Sequence, residues 1–273
     1  MADFPLIEGH RLETAGFPAL SNMTGTYCTD GAANVKGAWE EYIASTTFNA
    51  TQLIFVQTYY GTTASFLLDV GIGSAGSEVV LIPDIHVSAV YGRNSWVYIF
   101  PVTVPAGSRL AVRGQDSVGS DNPYSYLILS AQGFAPSQPL GRVTAYGINT
   151  ATSRGTQIDP GGSSYTKGAW VQIDAAIANP IKIMTIGIGS IANATMTTAR
   201  WRVDIGIGPN GSEIVVIPDL FLCANTTTDI IVPSTFPPLA VDIPSGVRLV
   251  ARAACSITDA TDRKFDVAIY GID

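Results

Sequence analysis

Two sets of acidic and basic residues, one in each half of the chain, have the types and spacing that acid–base chemistry needs. They are Asp69, Glu78 and Arg109, and then Asp204, Glu213 and Arg248. A pair of carboxylates hydrolyses glycosidic bonds when the two groups are held at a suitable separation. Asp69 precedes Gly71-Ile72-Gly73 and Glu78 follows Gly76-Ser77, so both flank one predicted hairpin turn, where carboxylates commonly accept backbone N–H bonds or pair with an arginine. A structural role is therefore predicted, with no catalytic residue assigned, and a glycosidase using Asp69 or Glu78 is the third of three alternatives.

Histidine and cysteine are too scarce for most nucleophilic or metal chemistry. His10 and His86 are the two histidines, and neither lies in a metal-ligand spacing or accompanies a GxSxG motif. The cysteines Cys28, Cys223 and Cys255 are odd in number and widely spaced, so structural disulfides are not expected. The sequence therefore predicts neither an enzyme nor a bound metal or cofactor.

Aromatic residues cluster in one segment of the first half. Tyr91, Arg93, Trp96 and Tyr98 combine aromatic rings with a guanidinium group, the chemistry of interface anchors and of sugar-stacking platforms alike. They form a candidate ligand site, and the other interpretation is that these rings cover the end of a sheet.

The strongest feature is an internal repeat with a period of roughly 130 to 140 residues. Lys36-Gly37-Ala38-Trp39 recurs as Lys167-Gly168-Ala169-Trp170, and Gly76-Ser77-Glu78 with Ile82-Pro83-Asp84 recurs as Gly211-Ser212-Glu213 with Ile217-Pro218-Asp219. We predict an arm over 1–8, one repeat over 9–135, a connector over 136–139 and a second repeat over 140–273. The residues retained in both repeats are predicted structural determinants: Trp39, Asp69, Glu78, Arg109, Arg113, Trp170, Asp204, Glu213, Arg248 and Arg252.

Short runs rich in β-branched and aromatic residues predict strands within each repeat. In the first repeat they cover 53–60, 65–70, 78–82, 96–100, 109–113 and 124–129, bounded by Gly, Pro, Asn and Ser. The run from Arg109 to Arg113 alternates charged and apolar residues, as a half-buried antiparallel strand does. The predicted fold is all-β, with two tandem jelly-roll-like antiparallel β-sandwich domains.

Composition excludes several classes of partner. Charged residues make up 14% of the chain, the formal net charge is -7 and there are four lysines, so a protein that neutralises nucleic-acid phosphates is not expected. No apolar run reaches the length of a membrane span and no signal peptide begins the chain. We therefore expect synthesis in the cytoplasm and no membrane partner.

The duplicated sandwich, the Gly-Ser-Glu and Ile-Pro-Asp turn-strand and the Arg109-Leu110 and Arg248-Leu249 strands together resemble structural proteins of tailed bacteriophage virions. The resemblance implies a non-enzymatic, homo-oligomeric subunit of a head surface, tail or fibre, whose partners are itself and other virion proteins. The alternative is a receptor- or carbohydrate-binding module of a phage tail that contacts a host surface glycan through Tyr91, Arg93, Trp96 and Tyr98.

Overall fold

The computed structural model describes residues 11–17, 24–59, 64–88, 96–119, 121, 123–131, 141–189, 199–223, 234–257 and 264–273. Every element in these residues is a β-strand or a turn. The first half contains β1 Leu12–Ala15, β2 Thr26–Tyr27, β3 Glu40–Ile43, β4 Gln52–Tyr59, β5 Ser65–Ile72, β6 Val79–Ser88, β7 Trp96–Phe100, β8 Leu110–Asp116 and β9 Tyr124–Ser130. None of the described residues forms a helix with the length and apolar character that crossing a membrane requires.

The second half repeats this series of strands. It contains β10 Val143–Tyr146, β11 Ile148–Asn149, β12 Arg154–Ile158, β13 Val171–Asp174, β14 Ile181–Gly189, β15 Arg200–Ile207, β16 Ile214–Cys223, β17 Ser234–Ile243, β18 Leu249–Cys255 and β19 Phe265–Ile272.

Each half is built from two antiparallel sheets. In the first half the strand orders are β1-β9-β4-β7 and β3-β8-β5-β6, and in the second half β10-β19-β14-β17 and β13-β18-β15-β16 take the same positions. Strand β12 pairs with β19 as β2 pairs with β9. Most neighbouring strands thus come from distant parts of the sequence, the exceptions in these orders being the consecutive pairs β5-β6 and β15-β16. This is the double-sheet arrangement of a jelly roll. The all-β, tandem jelly-roll prediction is confirmed. The predicted arm (1–8) and connector (136–139) lie outside the described residues.

Strand β6 runs past the Pro83-Asp84 pair, before which the sequence predicts its end, and β16 likewise runs past Pro218-Asp219. Asp84 and Asp219 adopt φ values of 50° and 52°, and the pairing of β6 with β5 shifts register between Leu68 and Val70. An irregularity of this kind bends a strand without ending it. The extra residues of β6, through Ser88, bring this edge strand to the second half of the chain.

The two halves pack against each other through an apolar interface. Tyr270 of β19, with Ala268 and Ile272, belongs to the same hydrophobic cluster as the first-half core. The Tyr270 hydroxyl accepts the His86 N–H at 2.6 Å and donates to the Asp84 carbonyl at 3.0 Å. These contacts fix the second half on the β6 edge of the first.

Trp96 and Tyr98 are buried at this interface, which corrects the proposed ligand platform. The Trp96 indole N–H donates to the Ser88 carbonyl, and the Tyr98 hydroxyl donates to the His86 carbonyl. Both side chains are inaccessible to solvent and lie against Gly189 and Gly187 of β14, where a Cβ atom would collide with them. A sugar cannot stack on rings that the second half covers. Tyr91 and Arg93 lie outside the described residues.

Candidate functional site: an open groove on the second half

The acidic and basic residues singled out from the sequence form ion-pair clusters that occur once in each half. Asp69 accepts hydrogen bonds from Lys36 Nζ at 2.8 Å, Arg113 Nε at 2.9 Å and the Asp84 N–H at 2.8 Å. In the second half, Asp204 has the same set of partners, namely Lys167, Arg252 and the Asp219 N–H. Each aspartate therefore binds a loop lysine and the backbone N–H at the irregular position of the edge strand, which holds both against the sheet.

The two repeated tryptophans cover these clusters on the outer face of the sheet. The Arg113 guanidinium lies 4.5 Å from the centre of the Trp39 ring, and that of Arg252 lies 4.3 Å from the centre of the Trp170 ring. A Cβ atom at Gly71 would lie 2.7 Å from the Trp39 ring, so glycine is needed for this close approach. This cation–π stacking is part of the scaffold.

The second pair of acids belongs to a different cluster. Arg109 binds Glu78 at 2.7 Å and Glu41 at 2.7 Å, and Arg248 binds Glu213 at 2.8 Å. Desolvation raises the pKa of Glu78, but its hydrogen bonds with backbone N–H groups and with Arg109 outweigh it, so the pKa is lowered overall. A general acid of a glycosidase needs a raised pKa, so the geometry gives Glu78 a structural role and no support to the glycosidase alternative.

An open groove of about 260 Å³ lies on the outer face of the second half. At its centre lies one rung of the sheet, by which we mean a row of residues paired across neighbouring strands. In this rung Arg202 of β15 lies between Phe221 of β16 and Ala254 of β18. Phe221 is 58% exposed, and Tyr165, on the β18 side of the groove, is 73% exposed. Two aromatic side chains thus border a groove that has an arginine at its centre and a small residue beside it.

The corresponding rung of the first half is covered by the rest of the chain. It consists of His86, Leu67 and Gln115, all of which are buried. The Gln115 side-chain amide donates to the Thr150 carbonyl at 2.8 Å and to the Ser153 hydroxyl at 2.9 Å. A turn of the second half therefore occupies, on the first half, the place that is open on the second.

Hydrogen bonds establish that the two surfaces correspond. The Tyr165 N–H donates to the Cys255 carbonyl as the Asn34 N–H donates to the Asp116 carbonyl, and both Tyr165 and Asn34 have φ of 59°. The Arg200 N–H donates to the Ser256 hydroxyl as the Ser65 N–H donates to the Ser117 hydroxyl. Tyr165 therefore stands where Asn34 stands, and Arg200 where Ser65 stands.

The sequence interpretation missed this groove, although a signal for it exists. Arg200, Trp201 and Arg202 alternate charged and aromatic residues at the start of β15, which on a strand places the two charges on one face and the ring on the other. The aligned segment of the first half carries Ser65, Phe66 and Leu67. A change from an apolar to a charged residue at an outward position indicates that the two faces have different surroundings.

Comparison with known proteins adds little to this description. No family model and no curated protein matches the chain. Among solved structures, the N-terminal CBM22-1-CBM22-2 tandem domain of Xyn10C from Paenibacillus barcinonensis is similar over 97% of this chain and 91% of that one, with 10% identity and a TM-score of 0.27. A likeness at this level carries no argument about function.

Proposed function

We propose that this chain is a non-catalytic carbohydrate-binding protein whose groove, bordered by Tyr165 and Phe221, holds the sugar. The observation that carries the proposal is that both rings are exposed at a groove whose counterpart on the first half is closed. A sugar ring presents an apolar C–H face and a rim of hydroxyl groups, so aromatic rings beside hydrogen-bond donors suit it. The jelly-roll fold itself occurs in capsid proteins and in lectins, and so does not decide between these functions.

The polar groups of the groove complement the rings. Arg200 and Arg202 supply guanidinium donors, and the Ser256 hydroxyl lies beside them. A few convergent polar groups within an otherwise apolar site are typical of small-molecule binding. Large aromatic side chains left in water at such a place usually mark an interaction site.

The test is sugar binding by the intact chain and by variants at the two rings. On a glycan array followed by calorimetry, we expect Tyr165→Ala and Phe221→Ala each to weaken binding by about 10-fold or more, which is about 1.4 kcal/mol. Tyr27→Ala is the matched control, because Tyr27 is an exposed aromatic residue of the first half. Sugar binding that survives both groove substitutions, or no sugar binding by the intact chain, would remove the proposal.

A homo-oligomeric subunit of a phage particle is the second candidate, and the outer face of the first-half sheet favours it. In the second half, Ala268, Tyr270 and Ile272 of β19 pack on the first half. The corresponding sheet of the first half has exposed Leu12 on β1 and Val97 on β7. An apolar face left open in this way suits burial between subunits.

Particle mass separates this candidate from a free-standing binder. If copies associate through that face, light scattering will give a particle mass that is a multiple of the mass of one chain. The double variant Leu12→Asp with Val97→Asp should then have the mass of a single chain. Val79→Asp is the control, since Val79 is exposed beside the hairpin turn before β6. A single-chain mass at every protein concentration would exclude self-association.

A further inference from the structure

We propose that the groove selects sugars that carry a carboxylate, and that Arg200 and Arg202 bind this group while Tyr165 and Phe221 hold the sugar ring. This inference rests on the proposed function and names the class of carbohydrate. A uronic or sialic type of sugar has the required chemistry, because it joins an anionic group to an apolar ring face.

The placement of the two arginines on β15 is the first support. They alternate with Trp201, which is buried, so both guanidinium groups emerge on the groove side, with Cα atoms about 6.6 Å apart at 3.3 Å per residue. The cross-strand neighbours are Cys223 for Arg200 and Phe221 for Arg202. One arginine therefore lies beside an aromatic ring at the groove, and the other lies one outward position further along β15.

The ion pairing of these arginines differs from that of the rest of the second half. The other described arginines of this half lie within 3.0 Å of a carboxylate oxygen: Arg142, Arg154, Arg248 and Arg252. Arg202 reaches Asp219 at 3.8 Å, and Asp219 is already bound by Lys167 at 2.9 Å. The Arg200 side chain makes no ion pair within the described residues. Both guanidinium groups therefore keep donors for an incoming carboxylate.

The charge of the groove is opposite to that of the chain. The formal net charge is -7, yet the described groove lining includes two arginines and neither an aspartate nor a glutamate. At the equivalent positions the covered surface of the first half carries Ser65 and Leu67, which have no charge. The positive charge therefore belongs to the open copy of this surface alone.

Guanidinium groups recognise carboxylates with directed, often bidentate hydrogen bonds. In a groove with exposed rings on both sides, that recognition adds to stacking without replacing it. The Arg202 side chain is 56% exposed, so the ion pair is screened by salt. Affinity for an acidic sugar should then fall as ionic strength rises, whereas affinity for a neutral sugar should not.

The experiment compares sugars that differ in the charged group alone. Calorimetry with an oligogalacturonate and its methyl ester, and with sialyllactose and its methyl ester, should give at least about 10-fold tighter binding of one acidic member over its neutral partner. Arg200→Gln with Arg202→Gln should abolish this preference and leave the weaker neutral binding, while Arg142→Gln, an exposed arginine outside the groove, should change nothing. A sulfated sugar provides a further comparison with an anion of a different shape.

Cys223, the cross-strand neighbour of Arg200, supplies an independent readout beside the groove. Of the three cysteines, Cys28 and Cys255 are buried and Cys223 is exposed, so a thiol reagent will label Cys223 first. The acidic sugar should slow this labelling in the intact chain and not in the double arginine variant. Labelling that slows with protein concentration and is indifferent to sugar would instead reveal a second copy in the groove, and would overturn the inference.

The remaining outcomes separate the two proposals. Equal affinity for acidic and neutral sugars, lost on Phe221→Ala, would overturn carboxylate selection and keep carbohydrate binding. Tighter binding of the sulfated sugar than of the carboxylated one would also overturn carboxylate selection. The absence of binding to any sugar would overturn both.

Discussion

Leu67 and Arg202 occupy the same position in the two halves, yet Leu67 is fully buried and the Arg202 side chain is 56% exposed. Each is the central residue of a rung, flanked by His86 and Gln115 in one half and by Phe221 and Ala254 in the other. The duplicated fold is therefore used in two ways. One copy of this surface joins the halves, and the other is open to solvent.

The Asp69 and Asp204 clusters should contribute equally to stability. Asp69→Asn removes a charge that two cations and a backbone N–H share, and its side chain is 5% exposed. Breaking a buried ion pair from one side costs about 3 kcal/mol, and we expect this loss for Asp69→Asn and again for Asp204→Asn in urea unfolding.

Glu41→Gln is the control for this pair of variants. Glu41 also binds an arginine, Arg109, but its side chain is 48% exposed, and an exposed ion pair contributes less than about 1 kcal/mol. A loss for Asp69→Asn no larger than that for Glu41→Gln would refute the structural role of the cluster.

Trp96→Ala should lower the free energy of unfolding without changing the groove. Trp96 is buried between the halves and lies in stacked geometry 5.8 Å from Tyr98, and truncation of a buried tryptophan to alanine costs about 3 to 5 kcal/mol. Chemical denaturation measures this loss. Sugar affinity of the folded fraction should match that of the intact chain, and a selective loss of affinity at unchanged stability would restore Trp96 as a ligand contact.

Gly187→Ala tests the fit between the halves. A Cβ atom at Gly187 would collide with the Tyr98 hydroxyl, which is itself bound to the His86 carbonyl. Overpacking of this kind typically costs about 1 to 3 kcal/mol, and we expect a lower thermal midpoint. Gly162→Ala adds the same methyl group in open space, so equal midpoints for the two variants would contradict the described interface.

The sequence predicts the architecture well because the repeat and the strand pattern are local signals. The six predicted strands of the first half correspond to β4 to β9, and the Arg109 to Arg113 alternation places Arg113 outward against Asp69. The two-residue strand β2 carries too few residues for any periodic signal.

Burial of the aromatic residues of β7 could not be read from the same pattern. The run Trp96-Val97-Tyr98 alternates in and out, and alternation tells which residues share a face but not what covers it. The cover is β14 of the other half, where Gly187 and Gly189 make room for the rings. The groove was missed for the converse reason, since nothing local marks Tyr165 and Phe221 as neighbours across β15 and β18.

His86 should make stability depend on pH. Its ring lies between the halves, with neither nitrogen hydrogen-bonded among the described residues, and burial, followed by the charge of Arg154, lowers its pKa to about 3. In the unfolded chain the His86 ring is protonated below about pH 6.5, whereas in the folded chain it stays neutral at that pH. The neutral ring therefore makes its full contribution to stability above that pH. Below it, the free energy of unfolding falls by about 1.4 kcal/mol per pH unit as the pH drops toward 3.

The variant His86→Leu isolates this effect, because it fills a similar space without titrating. The carboxyl of Asp30 works in the opposite direction, since burial and the nearby Asp116 raise its pKa to about 6 and it therefore stabilises the fold at low pH. Asp30 is present in both proteins, so its effect cancels when their unfolding free energies are subtracted. Between pH 6 and pH 4 we expect the intact chain to lose stability relative to His86→Leu, and parallel curves over this range would mean that the His86 ring is protonated in the folded protein.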